Sequence, residues 1–438
     1  MNALVAPIFD NSFARLSDQL FTRLPPTPVA DPALIAVNAE LASSLGLSAE
    51  WLASDAGIAM VAGNALPPGS DALAAVYAGH QFGGWNPQLG DGRALLLGEV
   101  VAPSGQRYDL QLKGSGPTPY SRGGDGRSPL GPVIREYLVS EAMATLGVPT
   151  TRALAAVTTG EPVYRERALP GAVLLRVASS HLRVGSMQYF AARRDIPSLE
   201  LLVDHVLDRH YPEHSHSDTP ALALLQAVID AQAKLIAQWQ SLGFIHGVMN
   251  TDNMLLCGET VDYGPCAFMD GFHPNTVFSS IDTGGRYAYS NQPGIGHWNL
   301  SALAQALLPL LDDDDESAVA CAQAAVDRYP ELFGQAYRQA MAAKLGLLEW
   351  RDGDDSLLEQ LLEQLAVERT DFTLFFRALA DAADPDSPAR KVDHLFAIPE
   401  HIEAWMARWQ QRIAEDEQSA AQRQRQMYLA NPAFIPRN

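Results

Sequence analysis

Two apolar periodicities follow one another along this chain, and their order constrains the fold more than any other sequence feature. Apolar residues alternate with period two over residues 94–101 and 108–113, and the turn residues Pro103-Ser104-Gly105 separate the two segments. This pattern predicts two neighbouring strands. Further strands are predicted over residues 153–158 and 171–177.

Helical spacing takes over in the second half of the chain. One helix is predicted inside the strand region, over residues 133–146, with Pro132 at its first position and Gly147 as its stop. From Pro197 onward the apolar residues recur mainly at helical spacing, most clearly over residues 220–242.

Strands followed by helices predict an α+β protein with two unequal lobes. A length of 438 residues, at about 100–200 residues per domain, allows this division. We expect an N-terminal extension over residues 1–65, a smaller lobe with the sheet over 66–190, and a mainly helical lobe over 191–438.

The charge balance limits the partners of the chain. Lys and Arg number 31 against 51 Asp and Glu, a formal charge of −20. Such a surface repels phosphate backbones and anionic membranes, so we expect neither nucleic acid nor a membrane as a partner. The N-terminus does not resemble a signal peptide, and no run of about 18 apolar residues predicts a membrane span. Three cysteines, Cys257, Cys266 and Cys321, build no disulfide framework, so we expect a cytoplasmic protein.

Lys113 ends the second predicted strand, and the helix after it carries Glu136 and Glu141. A strand lysine paired with a helix glutamate is the device with which kinases hold the phosphates of a nucleotide. Glu136 lies in the first turn and is the partner that we expect. Glu141 is interpreted as an exposed helix acid.

A second motif runs from His246 to Asn253 and is followed by Asp262-Tyr263-Gly264. In kinases an Asn and the Asp of an Asp-x-Gly motif hold Mg²⁺ on the phosphates. One amide oxygen and one carboxylate leave room around the ion for phosphate oxygens and water. We therefore expect Asn253 and Asp262 to bind the metal.

One position departs from the kinase pattern. Kinase catalytic loops carry the catalytic Asp five residues before the metal-binding Asn, and this sequence has Val248 there. Asp252 stands beside Asn253 instead. Two interpretations stay open on this observation: a catalytically inactive protein, or different chemistry with Asp252 as the base.

Glycines and arginines alternate in two loops of the N-terminal half. The segment Gly90-Asp91-Gly92-Arg93 stands where a kinase would carry G-x-G-x-x-G, and Arg122-Gly123-Gly124-Asp125-Gly126-Arg127 follows Lys113. Glycines allow close backbone approach to an anion, and arginines supply charged donors. With Arg176 and Arg183 in the same half, the pattern predicts a polyphosphate site.

These segments together resemble the selenoprotein O family, a branch of the protein-kinase-like superfamily. The matching segments are residues 77–83, 90–94, 110–116, 246–254 and 262–265. The resemblance implies a kinase-like two-lobed fold and protein AMPylation with ATP bound in a flipped orientation. AMP would pass from ATP to Ser, Thr or Tyr hydroxyls of proteins, with Mg²⁺ or Mn²⁺ as the metal.

Residue roles follow from the same resemblance. It implies Asp252 as the proton acceptor, Glu136 as the residue that orients Lys113, and Asn253 with Asp262 as metal ligands. It implies a nucleotide site formed by Gly90, Gly92, Arg93, Lys113, Asp125, Gly126, Arg176, Arg183 and Asp262.

Three alternatives remain beside AMP transfer. They are a conventional kinase that transfers the γ-phosphate, a UMP transferase, and a nucleotide-binding protein without catalysis. Val248 argues against the first, and the intact Lys113, Asn253 and Asp262 argue against the last.

One feature of the family is missing from this sequence. Many members carry a redox-active Cys or selenocysteine close to the C-terminus, whereas this sequence has no cysteine after Cys321 and stops at Asn438. Family members usually continue past such a segment, so we expect a truncated chain.

Overall fold

The computed structural model describes residues 6–384 and 392–437. The chain divides into two compact units, each assembled from three stretches of sequence. The first unit consists of Met1–Ile229, Asn250–Gly264 and Asn299–Val326. The second unit consists of Asp230–Met249, Pro265–Trp298 and Asp327–Asn438. The lobe boundaries expected at residues 65 and 190 stay a prediction, because these units are discontinuous in sequence.

An antiparallel sheet occupies the first unit. Its strands are β1 (Phe21–Arg23), β2 (Ala33–Val37), β3 (Leu73–Gln81), β4 (Gly84–Gly90), β5 (Ala94–Val101), β6 (Arg107–Lys113), β7 (Ser128–Pro129), β8 (Arg152–Tyr164) and β9 (Ala168–Ala178). Within the described ranges their order is β1-β3-β5-β6-β9-β8-β2, with β4 paired to β3 and β7 to β9. The first 65 residues thus contribute two strands to this sheet.

Helices complete both units, and together with the sheet they confirm the α+β class. The first nine are α1 (Ala39–Ser44), α2 (Ala49–Leu52), α3 (Asp55–Ala62), α4 (Leu130–Thr145), α5 (Val184–Arg193), α6 (Ile196–His210), α7 (Pro220–Leu242), α8 (Gln292–Leu307) and α9 (Asp315–Val326). The others are α10 (Tyr329–Leu345), α11 (Asp354–Glu368), α12 (Phe372–Ala382), α13 (Glu400–Ala414) and α14 (Ala420–Ala430), and a short ladder joins β10 (Phe244–Ile245) to β11 (Ala267–Phe268).

Strand β5 has the predicted bounds but not the predicted period. All of its residues except the last are buried, because the sheet is covered on both faces. Glu99 at its centre is fully buried and accepts hydrogen bonds from Ser12 Oγ at 2.5 Å and from the backbone of Phe13 at 2.6 Å. Strand β6 alternates in polarity rather than in burial: Leu110 and Leu112 enter the apolar core, whereas Asp109 and Gln111 are buried on the other face.

Helix α4 begins at Leu130, two residues before Pro132, which was predicted as its first residue. Pro129 is the N-cap and Pro132 is the third helical residue rather than the first. Proline is tolerated there because the first-turn N–H groups have no partner within the helix. Helix α5 was not predicted, since the expected helical region began only at Pro197.

The apolar core of the first unit packs helices against one face of the sheet. Leu52 and Val61 from α2 and α3 contact the cluster of Leu110, Val173 and Leu175 from the strands. On the opposite face α4 covers the sheet with its own smaller cluster. Charged residues of that second face therefore lie between a sheet and a helix, where pairing partners are needed.

In the second unit, helices α10 to α14 surround an aromatic core that includes the fully buried Trp409. Lys344 is enclosed in the same unit, 2% exposed. Its Nζ donates to Asn431 Oδ1 at 2.8 Å and lies 4.2 Å from the ring centre of Phe376.

One helix, α7, is long and apolar enough to cross a membrane by length and composition, with mean hydropathy 1.3 over its best window. By that test the helix is a candidate span, although it contains Asp230 and Lys234 and is not the unbroken apolar run that the prediction excluded. However, 61% of that window is buried inside the protein, as in an ordinary core helix. The helix is therefore weak support for a membrane span.

Candidate active site

The polar face of β6 and β9 carries the first part of the candidate site. Gln111 on β6 lies directly across from Arg176 on β9, and Arg176 Nη1 donates to Gln111 Oε1 at 3.2 Å. Lys113 stands two residues further along β6, on the same face as Gln111. The period of two in β6 thus delivers its polar side chains to the side of the sheet that α4 covers.

Glu136 of α4 bridges the two cations of this face. Its Oε2 accepts from Lys113 Nζ at 2.5 Å, and its Oε1 accepts from Arg176 Nε at 2.7 Å. Burial works to raise the pKa of Glu136, but Arg176 and Lys113 outweigh it and hold the pKa below its ordinary value. The predicted pairing of Lys113 with Glu136 is confirmed. Arg176 is 3% exposed, and its hydrogen bonds go to protein groups.

Glu141, interpreted as an exposed acid, instead joins helix α4 to strand β8 by hydrogen bonds. Arg152 binds both of its oxygens, at 2.9 and 2.7 Å, and the backbone N–H of Ala153 donates to it at 2.9 Å. The side chain turns toward the start of β8, because Glu141 lies five residues after Glu136 and, at about 100° per residue, points from a different side of the helix.

Asp262 joins the cluster from a loop far along the sequence. Its Oδ1 lies 3.0 Å from Lys113 Nζ, and this ammonium, with a further contribution from Arg93, holds the pKa of Asp262 well below its usual range. The residue has φ +69°, a left-handed conformation that few non-glycine residues adopt. Such conformations persist where the surroundings enforce them, and they concentrate at functional sites.

Asp252 lies in a 3-10 turn, Thr251–Asn253, and is 8% exposed. Its Oδ2 accepts from Gln81 Nε2 at 2.9 Å, whereas Oδ1 has no hydrogen-bond partner among the residues that the structure describes. Burial raises the pKa of Asp252, against the opposing effects of Gln81 and Arg183. A buried carboxylate with a free oxygen and a raised pKa has the properties of a general base.

The β3–β4 hairpin holds the loop that carries Asp252. The backbone N–H of His80 donates to Thr251 Oγ1 at 2.7 Å, and that of Phe82 donates to Asn250 Oδ1 at 3.0 Å. With the Gln81 contact, three consecutive residues of the hairpin bind three consecutive residues of the loop. No role was predicted for these hairpin residues, although residues 77–83 contributed to the family resemblance.

Arg183 supports the loop from another side. Its Nη1 donates to the backbone oxygen of Asp252 at 2.5 Å, and its guanidinium lies 4.7 Å from the ring centre of Tyr77. Asp91 Oδ1 is 3.7 Å from Arg183 Nη2. This arginine is buried beside Asp252, as the expected site requires, but its described contacts are with the protein.

Close packing accounts for three glycines of the two predicted phosphate loops. A Cβ on Gly90 would lie 2.4 Å from Tyr120 Cγ, and one on Gly92 would lie 2.7 Å from the Tyr120 oxygen. A Cβ on Gly126 would lie 2.0 Å from the backbone oxygen of Gly116. These glycines are required where loop packs against loop. Any approach to phosphate by the same backbone stays a prediction.

Asp125 is exposed, and its described partners differ from those of the Lys113 cluster. Arg165 binds its two carboxylate oxygens at 2.8 and 3.0 Å, and the backbone N–H of Arg127 donates at 3.0 Å. Arg165 lowers the pKa of Asp125 through these hydrogen bonds.

Oxygen donors for a divalent ion are present in the loop and its neighbour. Among residues 6–384 and 392–437, no group of three or more His, Cys, Asp and Glu side chains could enclose a metal by itself. Asn253 and Asp262 supply one amide and one carboxylate, oxygen ligands of the kind that Mg²⁺ prefers. A set of two fits an ion whose remaining ligands are phosphate oxygens and water.

Comparison with known proteins decides the family. The family model described as protein adenylyltransferase SelO matches residues 4–438. The chain belongs to the SelO family. As a member it is an enzyme of the nucleotidyltransferase class, which confirms the resemblance to selenoprotein O.

Relatives of SelO type cover nearly the whole chain. Proteins named protein nucleotidyltransferase YdiU from Rhodopseudomonas palustris (strain BisB18) and Methylorubrum populi are 56% and 57% identical over 430 and 436 residues. Each alignment covers 98% of this chain, and 87% and 88% of the relative. The one from Rhizobium rhizogenes (strain K84) is 58% identical over 431 residues, with 98% and 86% covered.

Proposed function

We propose that this SelO-family enzyme transfers AMP from ATP to Ser, Thr or Tyr hydroxyls of proteins, with ATP bound in a flipped orientation. The proposal includes a kinase-like fold with an extension over residues 1–65 and lobes over 66–190 and 191–438. It also includes a cytoplasmic location, with neither nucleic acid nor a membrane as a partner.

The observation that carries the proposal is the burial and the hydrogen bonding of the Asp252 carboxylate. The kinase position for the catalytic base holds Val248, whereas Asp252 is buried, keeps one oxygen free of described partners and has a raised pKa. A protein acceptor hydroxyl needs a base of this kind.

In the proposed reaction the substrate hydroxyl oxygen attacks the α-phosphorus of ATP. The bond from that phosphorus to the bridging oxygen of the β-phosphate breaks, and pyrophosphate leaves with the electron pair. The hydroxyl proton passes to the Asp252 carboxylate. Gln81 keeps the carboxylate in place through its Oδ2.

The cation cluster binds and orients the phosphates in this proposal. Lys113, held by Glu136, contacts the phosphates, and Arg176 and Arg183 contribute positive charge from the buried side. Arg93 adds an exposed donor near Asp262. The loop residues Gly90, Gly92, Asp125 and Gly126 line the nucleotide.

Asn253 and Asp262 are the residues that would hold Mg²⁺, or Mn²⁺, and the ion would neutralise phosphate charge. Asp262 pairs with Lys113 at 3.0 Å, so the lysine and the ion would share one carboxylate. We expect Asp262→Ala to lose transfer, since that carboxylate serves both.

The position of the label in ATP tests the proposal. Incubation with a protein substrate mixture and ATP labelled at the α-phosphorus should label protein and add the mass of AMP, whereas label at the γ-phosphorus should not enter. Entry of γ label alone would establish the kinase alternative instead. Parallel reactions with UTP measure the UMP alternative.

Asp252→Asn serves as the matched variant in that assay. The amide keeps the shape of the side chain but cannot accept the proton, so transfer should fall by about 10²–10⁴-fold. ATP affinity by calorimetry should stay near that of the parent. Undiminished transfer in this variant would remove Asp252 from the mechanism.

A further inference from the structure

Gln111 of β6 lies between two buried charges of the first unit. Its Oε1 accepts from Arg176 Nη1 at 3.2 Å, and its Nε2 donates to Asp91 Oδ2 at 3.3 Å. All three side chains are buried, and Gln111 has no exposed surface. The glutamine therefore joins a cation of strand β9 to an anion of the turn between β4 and β5.

The chemistry of its two neighbours explains why this position carries an amide. The guanidinium of Arg176 offers only hydrogen-bond donors, whereas the ionised carboxylate of Asp91 offers only acceptors. A glutamine supplies an acceptor and a donor on one planar group, so it can bind both neighbours at once. A leucine of similar size would bind neither, and a glutamate would face Asp91 with a second carboxylate.

Asp91 continues the contact to a second buried arginine. Its Oδ1 lies 3.7 Å from Nη2 of Arg183, which is an ion-pair distance. The two arginines are also held from their far sides: Arg176 Nε donates to Glu136 Oε1 at 2.7 Å, and Arg183 Nη1 donates to the backbone oxygen of Asp252 at 2.5 Å. Like charges repel strongly in a protein interior, so the amide and the carboxylate between them help to determine where each guanidinium stays.

The turn that carries Asp91 is itself firmly held. Asp91 Oδ2 also accepts from the backbone N–H of Ala75 at 3.2 Å, and the backbone N–H of Asp91 donates to the Ala75 oxygen at 3.0 Å. The hydroxyl of Thr118 donates to the Asp91 backbone oxygen at 2.8 Å. Gly90 and Gly92, which are proposed to line the nucleotide, flank Asp91 in sequence, so the same contacts fix their backbone.

We propose that Gln111 and Asp91 are positioning residues for the nucleotide. They hold the guanidinium groups of Arg176 and Arg183 in the arrangement that binds the phosphates of ATP. This inference rests on the proposed function, because it takes these two arginines as cations of the phosphate site.

Two substitutions separate position from charge. Gln111→Leu removes both hydrogen bonds of the amide and changes no charge. Asp91→Asn removes a negative charge beside Arg183, and whichever way the new amide turns, its NH₂ group faces a donor, either Arg183 or the N–H of Ala75. Charge alone predicts unchanged ATP affinity for the first variant and tighter ATP binding for the second.

We expect both variants to bind ATP about tenfold more weakly than the parent. Affinity for AMP, which lacks the β- and γ-phosphates, should change by less than about threefold, so the preference for ATP over AMP falls. Calorimetry with the full chain measures both nucleotides at one Mg²⁺ concentration, at about pH 8 so that Asp91 is ionised. Partial unfolding would lower the fraction of active protein without changing the ratio of the two affinities.

Gln240→Leu is the matched control. Gln240 is a buried glutamine of the second unit, and its Nε2 donates to the backbone oxygen of Tyr289 at 2.7 Å. Its replacement also removes a buried hydrogen bond, so urea denaturation should show a loss of stability, as in Gln111→Leu. The preference for ATP over AMP should stay that of the parent.

Other outcomes overturn the proposal. Unchanged ATP affinity in Gln111→Leu with tighter binding by Asp91→Asn would mean that charge alone accounts for both. Equal affinities of the parent for ATP and AMP, or a lost preference in Gln240→Leu, would also overturn it. If Gln111→Leu does not fold, the direction of the change in Asp91→Asn decides alone.

The α-labelled ATP assay separates this inference from the proposed function. If both variants lose the preference for ATP but the parent transfers no α label to protein, the positioning role stands and the proposed function fails. If the parent transfers α label and both variants keep the preference, the proposed function stands and the positioning role fails.

Discussion

Glu136 pairs with two cations through one buried carboxylate, and Glu141 of the same helix offers a less buried comparison. In Glu136→Gln the buried Arg176 loses its counter-charge, so the free energy of unfolding should fall by about 3 kcal/mol. Glu141→Gln weakens a less buried carboxylate that binds Arg152 and the backbone N–H of Ala153, so it should cost less than Glu136→Gln, about 1–2 kcal/mol. Urea denaturation measures both.

The same pair of variants separates stability from binding. Lys113 is oriented by Glu136, so ATP affinity by calorimetry should weaken in Glu136→Gln and stay unchanged in Glu141→Gln. A Glu136→Gln protein with the stability and ATP affinity of the parent would contradict the role given to this carboxylate.

Gln81 controls the proton affinity of Asp252. Burial raises the pKa of Asp252 and the Gln81 amide lowers it, so Gln81→Leu should raise that pKa further. Transfer needs the ionised carboxylate, and the rate therefore falls as pH drops through the pKa. The acid limb of the profile of kcat/KM against pH should move to higher pH.

Gln88→Leu is the control for that profile, because Gln88 lies on the same hairpin and is exposed. It should leave the acid limb in place. An unshifted limb in Gln81→Leu would show that the amide does not tune the base, whatever the change in overall rate.

At the scale of elements, local periodicity predicted the strands and helices whose formation depends on their own sequence. Strand β5 has its predicted bounds, and a helix follows β6 as expected. Strands β1 and β2 were missed, because they have three and five residues and owe their formation to pairing with β3 and β8. Pairing over such distances leaves no periodic signal in a short segment.

In the candidate site, too, contacts between neighbouring elements could be predicted from the sequence, whereas contacts between distant segments could not. The pairing of Lys113 with Glu136 could be predicted because strand and helix are adjacent in sequence. The Gln81 contact with Asp252 joins residues 171 positions apart, and a single glutamine in a strand carries no pattern that announces it. The role of Asp252 was predicted from the family resemblance and from Val248, which stands where kinases carry the catalytic Asp.

The close packing of the hairpin on the loop makes a prediction at Gly79. A Cβ there would lie 3.1 Å from both Cβ and Oδ1 of Asp252, so Gly79→Ala would crowd the free oxygen of the base. Transfer should fall by about tenfold or more, while overpacking costs about 1–3 kcal/mol of stability.

Gly84→Ala, on the same hairpin, is the control, because a Cβ there would lie 3.4 Å from the backbone oxygen of Gln81, an ordinary contact. Initial rates and thermal denaturation of the two variants should separate the effects. Equal rates for Gly79→Ala and Gly84→Ala would show that the hairpin does not constrain the base.

For the molecule as a whole, buried Lys344 makes stability depend on pH. Burial lowers the pKa of Lys344 from 10.5 to about 7 in the folded protein. Between pH 7 and 10.5 the unfolded chain binds a proton there that the folded chain does not, so stability rises with pH in this window. Below pH 7 both states are protonated and the contribution is flat.

Lys344→Met removes this titration. The parent should gain stability relative to the variant from pH 7 to 9, by at most about 1.4 kcal/mol per pH unit. Lys234→Met, at an exposed position of α7, should change nothing in this slope. Parallel curves for parent and Lys344→Met would mean that the ammonium is charged when folded.

The division of the first unit into three stretches has a consequence for synthesis on the ribosome. Residues 6–229 can emerge long before Asn250–Gly264 and Asn299–Val326, which complete the same unit. At about 5–20 residues per second, the early sheet waits on the order of ten seconds for its last stretch. Until then its unfilled surface is open to chaperones, and the candidate catalytic loop emerges while the unit that holds it is still incomplete.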